Sequence, residues 1–354
     1  MHTATENPAI LDPPPGSLRN RDNRFYELLA GGARTRVLEG FLDLKIPELL
    51  GAEGPLTAVE ICRRLNLDPH RGWKFLHLLA LTGLLDEQGA EHGDDLAIFG
   101  LSAEAKEFFG DDGRGGYFFR DLVNYWRNVA ILPLADVLAG MPLPNAVRWP
   151  PPGEEAAVHL ETWMRVTAGG AIKTLLHSGA MSGAQRLLDV GGGDGTIGCA
   201  LAHQDPQLRV TVFNLPASAA LARQTVAVRR FAERVSVHEG NFLEDELPSG
   251  FDRVLFSRVL TDWEPDVCRM LFEKARRALV PEGRLLINEA LVDGNLDYTV
   301  AWEFRYLFYD TFGRAMFKPL AVYRQLLADA GFQIARVSPM LDDAFYSVIE
   351  ATAV

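Results

Sequence analysis

The stretch DVGGGDG at residues 189–195 has the residue types and spacing to hold a nucleotide-like ligand. Glycines at 191 and 193 let the backbone turn tightly and let a ligand approach the peptide with no Cβ in the way. The spacing is G-x-G-x-G, not the G-x-G-x-x-G of a dinucleotide fingerprint. Asp189 and Asp194 would repel a pyrophosphate but suit a ligand carrying a sulfonium and an ammonium group. Asn214 lies 21 residues after Gly193, where a nucleotide-binding fold places an acceptor for ribose hydroxyls. An Asn does this less strongly than a carboxylate. Asn241 and Phe242 offer a polar group and a ring for a base, although either Asn alone is equally well read as a turn residue.

These loops need a sheet to position them. From Gln185, short β-rich runs alternate with helical stretches: RLLDV, LRVTVFNL, RVSVHEGNF, FDRVLFSRVL and RLLINEAL, then a long helix, then QIARVSP and FYSVIEA. Such alternation predicts an α/β domain with a doubly wound, mostly parallel sheet and an antiparallel edge from the last two strands. Ligands of such sheets bind at the carboxyl ends of the strands. Those loops follow Val190, Phe213, Asn241, Ser257 and Asn288.

The rest of the chain divides into a loose arm (1–24), a mainly helical segment (25–110), a helical connector (111–180) and the sheet domain (181–354). Thr57 with Glu60 forms a capping-box signature, and Asp68–Pro69 an N-cap followed by an N1 proline. Trp73, Leu76, Leu79 and Ala80 recur at helical spacing. Helix, turn, helix and a polar turn at Gly89–Asp95 give a winged-helix outline, read here as a structural or dimerising module. The aromatic stretch from Tyr117 includes Trp126, and such stripes serve either a core or a pocket wall. A further helix is expected from Glu154 to Ser178.

Bulk composition narrows the partners. The net charge of -12 provides no basic footprint for nucleic acid or an anionic membrane. No apolar run is long enough to span a bilayer, and residues 1–24 lack a signal-peptide core. The three cysteines are far apart and show no metal-ligand spacing, so no metal is expected. A cytoplasmic enzyme fits this balance.

Taken together, LLDVGGGDG, VFNLP, EGNFLEDELP and FSRVLTDWEPDVCRMLFEKARRALVPEGRLLINEALV resemble the small-molecule O-methyltransferase family of plants and bacteria. That family includes caffeate-type, polyketide and carotenoid methyltransferases. The resemblance covers nearly the whole chain. It implies a class I, Rossmann-like methyltransferase domain, a homodimer formed through the winged-helix-like N-terminal domain, S-adenosyl-L-methionine as cofactor and S-adenosyl-L-homocysteine as product. It implies cofactor contacts from Asp189, Gly191, Gly193, Asn214, Leu215, Asn241, Phe242, Ser257 and Arg258. It also implies an acceptor pocket with Trp126, Trp163, Met164, Arg305 and Tyr309.

One departure stands out. The family's V-L-H-D-W, whose His is the general base, reads Val259-Leu260-Thr261-Asp262-Trp263 here. Threonine has no accessible pKa and cannot replace an imidazole. The Glu that supports the His matches Glu289, whereas a second supporting Glu falls near Phe317. Thr261, Asp262 and Glu289 are the candidate catalytic positions, with His159, Tyr309 and Asp310 as alternative bases. The expected activity is methyl transfer to a small aromatic or enolic secondary metabolite at oxygen. Transfer to carbon or nitrogen on the same scaffold, and a homologue that binds the cofactor without methylating, are the alternatives.

Overall fold

The structure, a computed structural model, describes residues 18–89, 97–109, 116–143, 151, 153–294, 296–308, 317–341 and 344–354. The chain forms two compact units, Met1–Ile131 and Leu132–Val354. The boundary between them falls inside the 111–180 segment.

The first unit holds α1 (Leu18–Asp43), α2 (Ile46–Glu53), β1 (Leu56–Thr57), α3 (Ala58–Arg64), α4 (Pro69–Leu81), β2 (Leu85–Gln88), β3 (Ile98–Leu101), α5 (Ala103–Phe109) and α6 (Gly116–Ala130). Helix α1 therefore starts before Phe25, inside the expected arm. The capping box forms as its sequence predicts: the Glu60 amide donates to Thr57 Oγ1 at 3.3 Å and the Thr57 amide to Glu60 Oε2 at 3.0 Å. Asp68 accepts from the Arg71 amide at 2.9 Å and opens α4. Of the apolar stripe on α4, Leu76 and Leu79 are fully buried against Phe41, Ile46, Ile61 and Phe99, with Trp73 and Ala80 at the edge of that core. Strands β1, β3 and β2 form a small antiparallel sheet. Most of the polar turn at Gly89–Asp95 lies outside the described residues.

The second unit opens with α7 (Leu134–Leu138), α8 (Glu154–Val166) and α9 (Ala168–Ser178). The single helix expected over 154–178 is broken at Thr167. Its hydroxyl donates back to Trp163 O at 2.9 Å, a bond that bends a helix, and Gly169 and Gly170 follow. The strands are β4 (Arg186–Val190), β5 (Arg209–Asn214), β6 (Val235–Glu239), β7 (Phe251–Ser257), β8 (Leu279–Glu289), β9 (Phe332–Val337) and β10 (Ser347–Ala353). Between them lie α10 (Thr196–Gln204), α11 (Pro216–Val228), α12 (Pro265–Ala278), α13 (Leu296–Tyr306) and α14 (Leu320–Asp329). The long helix expected after β8 is two helices, because Pro319 starts a new one at the N-cap of α14.

Strand order is β6-β5-β4-β7-β8-β10-β9, all parallel except β10, which runs antiparallel to β8 and β9. Both faces are covered. Leu188, Val190, Val254 and Ile287 pack toward α12 and α14, whereas Leu187, Val210, Val212 and Leu286 pack toward α9, α10 and α11. This accounts for the nearly continuous apolar strands, since a parallel sheet is buried on both sides. The chain runs outward from β4 through β5 to β6, then crosses to β7 on the other side of β4. The crevice at the carboxyl ends of β4 and β7 is thus the topological switch point.

A buried lysine fixes one wall of that crevice. Lys274 of α12 donates from Nζ to Phe242 O at 2.9 Å, Leu243 O at 3.3 Å and Asp245 O at 2.8 Å. Replacing it with Met strands three carbonyls and removes charge-assisted bonds. Lys274→Met should lower stability by about 2 kcal/mol, read as a lower urea midpoint with an unchanged slope.

Candidate active site

The glycine turn joins β4 to α10, and its backbone is left-handed at Gly191 (φ +70°) and Gly193 (φ +57°). The Gly191 amide donates to Phe213 O at 2.8 Å, which ties the turn to β5. A Cβ on Gly191 would come within 2.9 Å of Val259, and one on Gly193 within 2.7 Å of Glu161 Oε2. Only glycine keeps this cradle open.

The acids of the turn are not presented to a ligand as their sequence suggests. Asp194 caps α10, accepting from the Thr196 amide at 3.1 Å, and pairs with Arg165 at 3.2 Å. Asp189 is 1 % exposed and neither carboxylate oxygen has a partner. It lies beneath the turn, against Gly192, Gly198 and Val212. Burial pushes its pKa up to about 7.

The acid that does reach the turn comes from α8. Glu161 is buried, and its Oε2 has no partner and faces Gly193. Burial raises its pKa, against the opposing pull of a hydrogen bond from Ser218. Its position i−3 from Met164 on an amphipathic helix was the available sequence signal, but a lone acid on a helix is usually a solvated one.

Asn214 ends β5. Its amide donates to Gly193 O at 3.2 Å, and its oxygen accepts from the Leu215 amide at 2.9 Å at the start of α11. Asn241 forms a turn in which its oxygen accepts from the Leu243 amide at 3.0 Å. Phe242 is buried, its ring beside Gly191 and edge-on to Trp263 at 5.6 Å. Ser257 is buried and accepts from Asn288 Nδ2 at 3.0 Å. Arg258 adopts a left-handed backbone (φ 58°), a strained state for a residue with a Cβ. Its guanidinium donates to Thr167 Oγ1 at 2.6 Å and Met164 O at 2.5 Å, which locks the α8–α9 break over the end of β7.

After β7 the chain makes a short 3-10 turn, Leu260–Asp262. Glu289, at the end of β8, holds it. Its Oε1 accepts from the Val259 amide at 2.7 Å and the Leu260 amide at 2.8 Å, and its Oε2 from Thr261 Oγ1 at 2.9 Å. Burial lifts the Glu289 pKa to about 7, less than it otherwise would because of these bonds. Asp262 faces the other way and accepts from Tyr306 Oη at 2.6 Å. Burial raises its pKa to about 6, opposed by the Tyr306 bond and the charges of Lys318, Arg305 and Arg258.

Near Phe317, where the family's second acid falls, the structure has a cation. Lys318 is buried and donates from Nζ to Leu260 O at 2.8 Å, while the Phe317 amide donates to Glu303 at 3.1 Å. Burial lowers the Lys318 pKa. Lys318 was not singled out from sequence, because its value depends on the segment just before α14 lying against the 3-10 turn.

Helices α8 and α13 supply an aromatic wall. Trp163 meets Trp302 edge to face at 6.4 Å, and the Arg305 guanidinium sits 5.0 Å from the Trp163 ring and 4.4 Å from Trp302. Tyr298 stacks on Phe345 at 4.3 Å. The structure thus brings together Thr261, Asp262, Glu289, the cofactor candidates and Trp163, Met164 and Arg305. It does not bring His159 in, because that side chain is exposed on α8. Trp126 is half-buried on α6 of the first unit, and Tyr309 and Asp310 lie outside the described residues. Among the described residues no group of three or more His, Cys, Asp or Glu is placed to hold a metal ion, and no helix is long and apolar enough to cross a membrane.

A doubly wound sheet with a glycine cradle at its switch point and an aromatic wall beside it defines a class I methyltransferase. The O-methyltransferase domain family matches residues 154–333, just over half of the chain, and the chain belongs to that family. It is 26% identical over 348 residues to demethylspheroidene O-methyltransferase of Cereibacter sphaeroides, covering 94% of this chain and 87% of that relative. It is 24% identical to L-tyrosine C(3)-methyltransferase of Streptomyces lavendulae, over 93% of this chain and 92% of the relative. Among solved structures, the apo form of the S-adenosylmethionine-dependent methyltransferase SibL aligns with a TM-score of 0.75 and 27% identity, over 93% of this chain and 98% of that one. The cofactor is S-adenosylmethionine.

Two outcomes follow from this geometry. Gly193→Val puts a side chain into the cradle and should abolish S-adenosylhomocysteine binding by calorimetry; unchanged affinity would refute the cradle as the cofactor site. Asp189 keeps its proton up to about pH 7 when folded but loses it near pH 4 when unfolded. The stability this contributes is complete below about pH 4 and is lost as pH rises toward 7. Asp189→Asn should therefore flatten the fall in apo-protein stability between pH 5 and pH 8, and an unaltered slope in urea melts would sink that assignment.

Proposed function

We propose that the protein transfers the methyl group of S-adenosylmethionine to an acidic hydroxyl of a small aromatic or enolic metabolite, and that Asp262 takes up the proton. The supporting observation is the Thr261–Glu289 hydrogen bond of 2.9 Å. It turns the residue at the family's base position inward and leaves Asp262, with a pKa of about 6, as the neighbouring proton acceptor.

The residues fit the cofactor. Gly191 and Gly193 leave the room that its methionine portion needs, Asn214 and Leu215 border the ribose, and Asn241, the Phe242 ring, Ser257 and Arg258 serve the adenine side. The bound cofactor supplies a methyl group on a sulfonium, which is displaced in line by the acceptor. The chain's own task is to orient the acceptor and accept its proton. Trp163, Met164, Trp302 and Tyr298 offer an apolar, aromatic wall that excludes water from an aromatic acceptor. The Arg305 guanidinium, held against the Trp163 and Trp302 rings, favours an acceptor carrying electron-rich or anionic groups. Tyr306 fixes one oxygen of Asp262 and leaves the other for the acceptor hydroxyl.

The pKa of Asp262 selects the acceptor. Moving a proton from a phenol of pKa about 10 to a carboxylate of pKa about 6 is uphill by roughly 5 kcal/mol. From an enol or vinylogous acid of pKa about 6 to 7, the cost nearly vanishes. The activity therefore fits acidified hydroxyls better than simple phenols.

A second reading, transfer to a ring carbon, draws support from the same Thr261 and from similarity to a C-methyltransferase. There proton loss follows methylation and needs no strong base. Product analysis with deuterated methyl donor separates the two: a labelled methyl removed by chemical O-demethylation supports oxygen, and a resistant one moves the assignment to carbon. In the wild type, kcat/KM should rise with pH through about 6 and level off above it, because the base must lose its proton to act. Asp262→Asn should lose that limb and about 100-fold in kcat while binding S-adenosylhomocysteine as before. A variant that keeps the limb would remove Asp262 from this role.

A further inference from the structure

The residue expected to hold the cofactor's ribose is already engaged within the protein. Both polar atoms of the Asn214 side chain bond to the backbone, to Gly193 O at 3.2 Å and to the Leu215 amide at 2.9 Å. Nor do the acids of the glycine turn offer a substitute. Asp194 is committed to Thr196 and Arg165, and Asp189 is sealed beneath Gly192. A fold of this kind ordinarily places a carboxylate at the end of the second strand of its sheet, since a carboxylate can accept from both ribose hydroxyls. That strand here is β5, and it ends in an amide.

Glu161 reaches the same turn from a different element. It projects from α8, is 5 % exposed, and its Oε2 has no hydrogen-bond partner. That oxygen lies 2.7 Å from where a Cβ on Gly193 would sit, so it and the Asn214 amide converge on one residue of the turn. The polar neighbours that act on the Glu161 carboxyl are Ser218, in the first turn of α11, the helix that begins directly after Asn214, and the Asp194 backbone in the glycine turn. A buried carboxylate oxygen left without a donor is costly unless a ligand supplies one.

We infer that Glu161 is the ribose-binding carboxylate of this protein, accepting the cofactor's hydroxyls at the end of β5 in place of an acid in the strand itself. The requirement is for a carboxylate at that point in space, and α8 meets it across the turn. Asn214 then becomes a positioning residue that ties the turn to α11. The inference rests on the cofactor lying over Gly191–Asn214, as proposed above.

The test compares 5′-methylthioadenosine, which has the ribose but no amino-acid portion, with its 2′,3′-dideoxy analogue and with S-adenosylhomocysteine, all by calorimetry. The wild type should bind methylthioadenosine about ten-fold more tightly than the dideoxy analogue. Glu161→Ala should narrow that ratio to about two-fold or less while binding the dideoxy analogue as the wild type does. Glu161→Gln, which retains the shape and a neutral acceptor, should fall between the two and carries the test if the alanine variant does not fold. An unchanged ratio in both variants overturns the inference. So does a loss confined to S-adenosylhomocysteine, which would assign Glu161 to the ammonium group instead. Gly193→Val separates the two levels: if it binds all three ligands normally, the cofactor placement itself fails, whereas loss of binding there with an intact ratio in Glu161→Ala removes only the inference.

Discussion

One carboxylate organises the reacting end of this protein. Glu289 takes hydrogen bonds from three consecutive residues, Val259, Leu260 and Thr261, and so fixes the turn that follows β7. From that turn Val259 packs against Gly191, Asp262 is turned toward Tyr306, and the Leu260 carbonyl receives Lys318. Without the acid at the end of β8, two buried backbone amides would have no acceptor, and the 3-10 turn after β7 would lose its shape. Its burial is costly for a charge, which is why its pKa rises toward neutrality.

The second constraint is the way α8 is held over the sheet. Arg258 accepts a strained backbone and uses its guanidinium to grip Met164 and Thr167 where α8 breaks into α9. Such strain is sustained only where surrounding contacts over-determine it. The result is that one helix delivers Glu161 to the glycine turn and Trp163 to the aromatic wall with Trp302. In the proposed reading this fixes cofactor and acceptor relative to each other through rigid elements, which is what an in-line transfer demands. The sequence preserves this scaffold while replacing the imidazole, and in the proposed reading the proton goes to Asp262 and the acceptor is itself acidic.

Much of this was legible before any coordinates. The capping signals at Thr57 and Asp68, the strand runs from Arg186 to Glu289 and the glycine turn are all local, and local chemistry specifies them. The antiparallel pairing of β10 also followed from two short strands joined by a polar loop. The broken helix at Thr167 was missed because residues 154–178 carry a continuous helical pattern, and the break depends on a hydroxyl back-bond and on the grip of Arg258. Asp194 was misread for a related reason. In sequence it is an acid beside glycines, whereas in space Arg165, 29 residues earlier, neutralises it.

The sequence by itself determined the class of fold, the cofactor turn and the absence of a histidine between Leu260 and Asp262, because these are properties of residue type and short-range spacing. Only the tertiary structure decided what the acids do. Asp189, Glu161, Asp194, Asp262 and Glu289 are all acids, but burial and partners set one beneath the turn, one against Gly193, one onto an arginine, one onto Tyr306 and one into the frame. A carboxylate's role depends on what removes its water and what donates to it, and those neighbours come from distant parts of the chain.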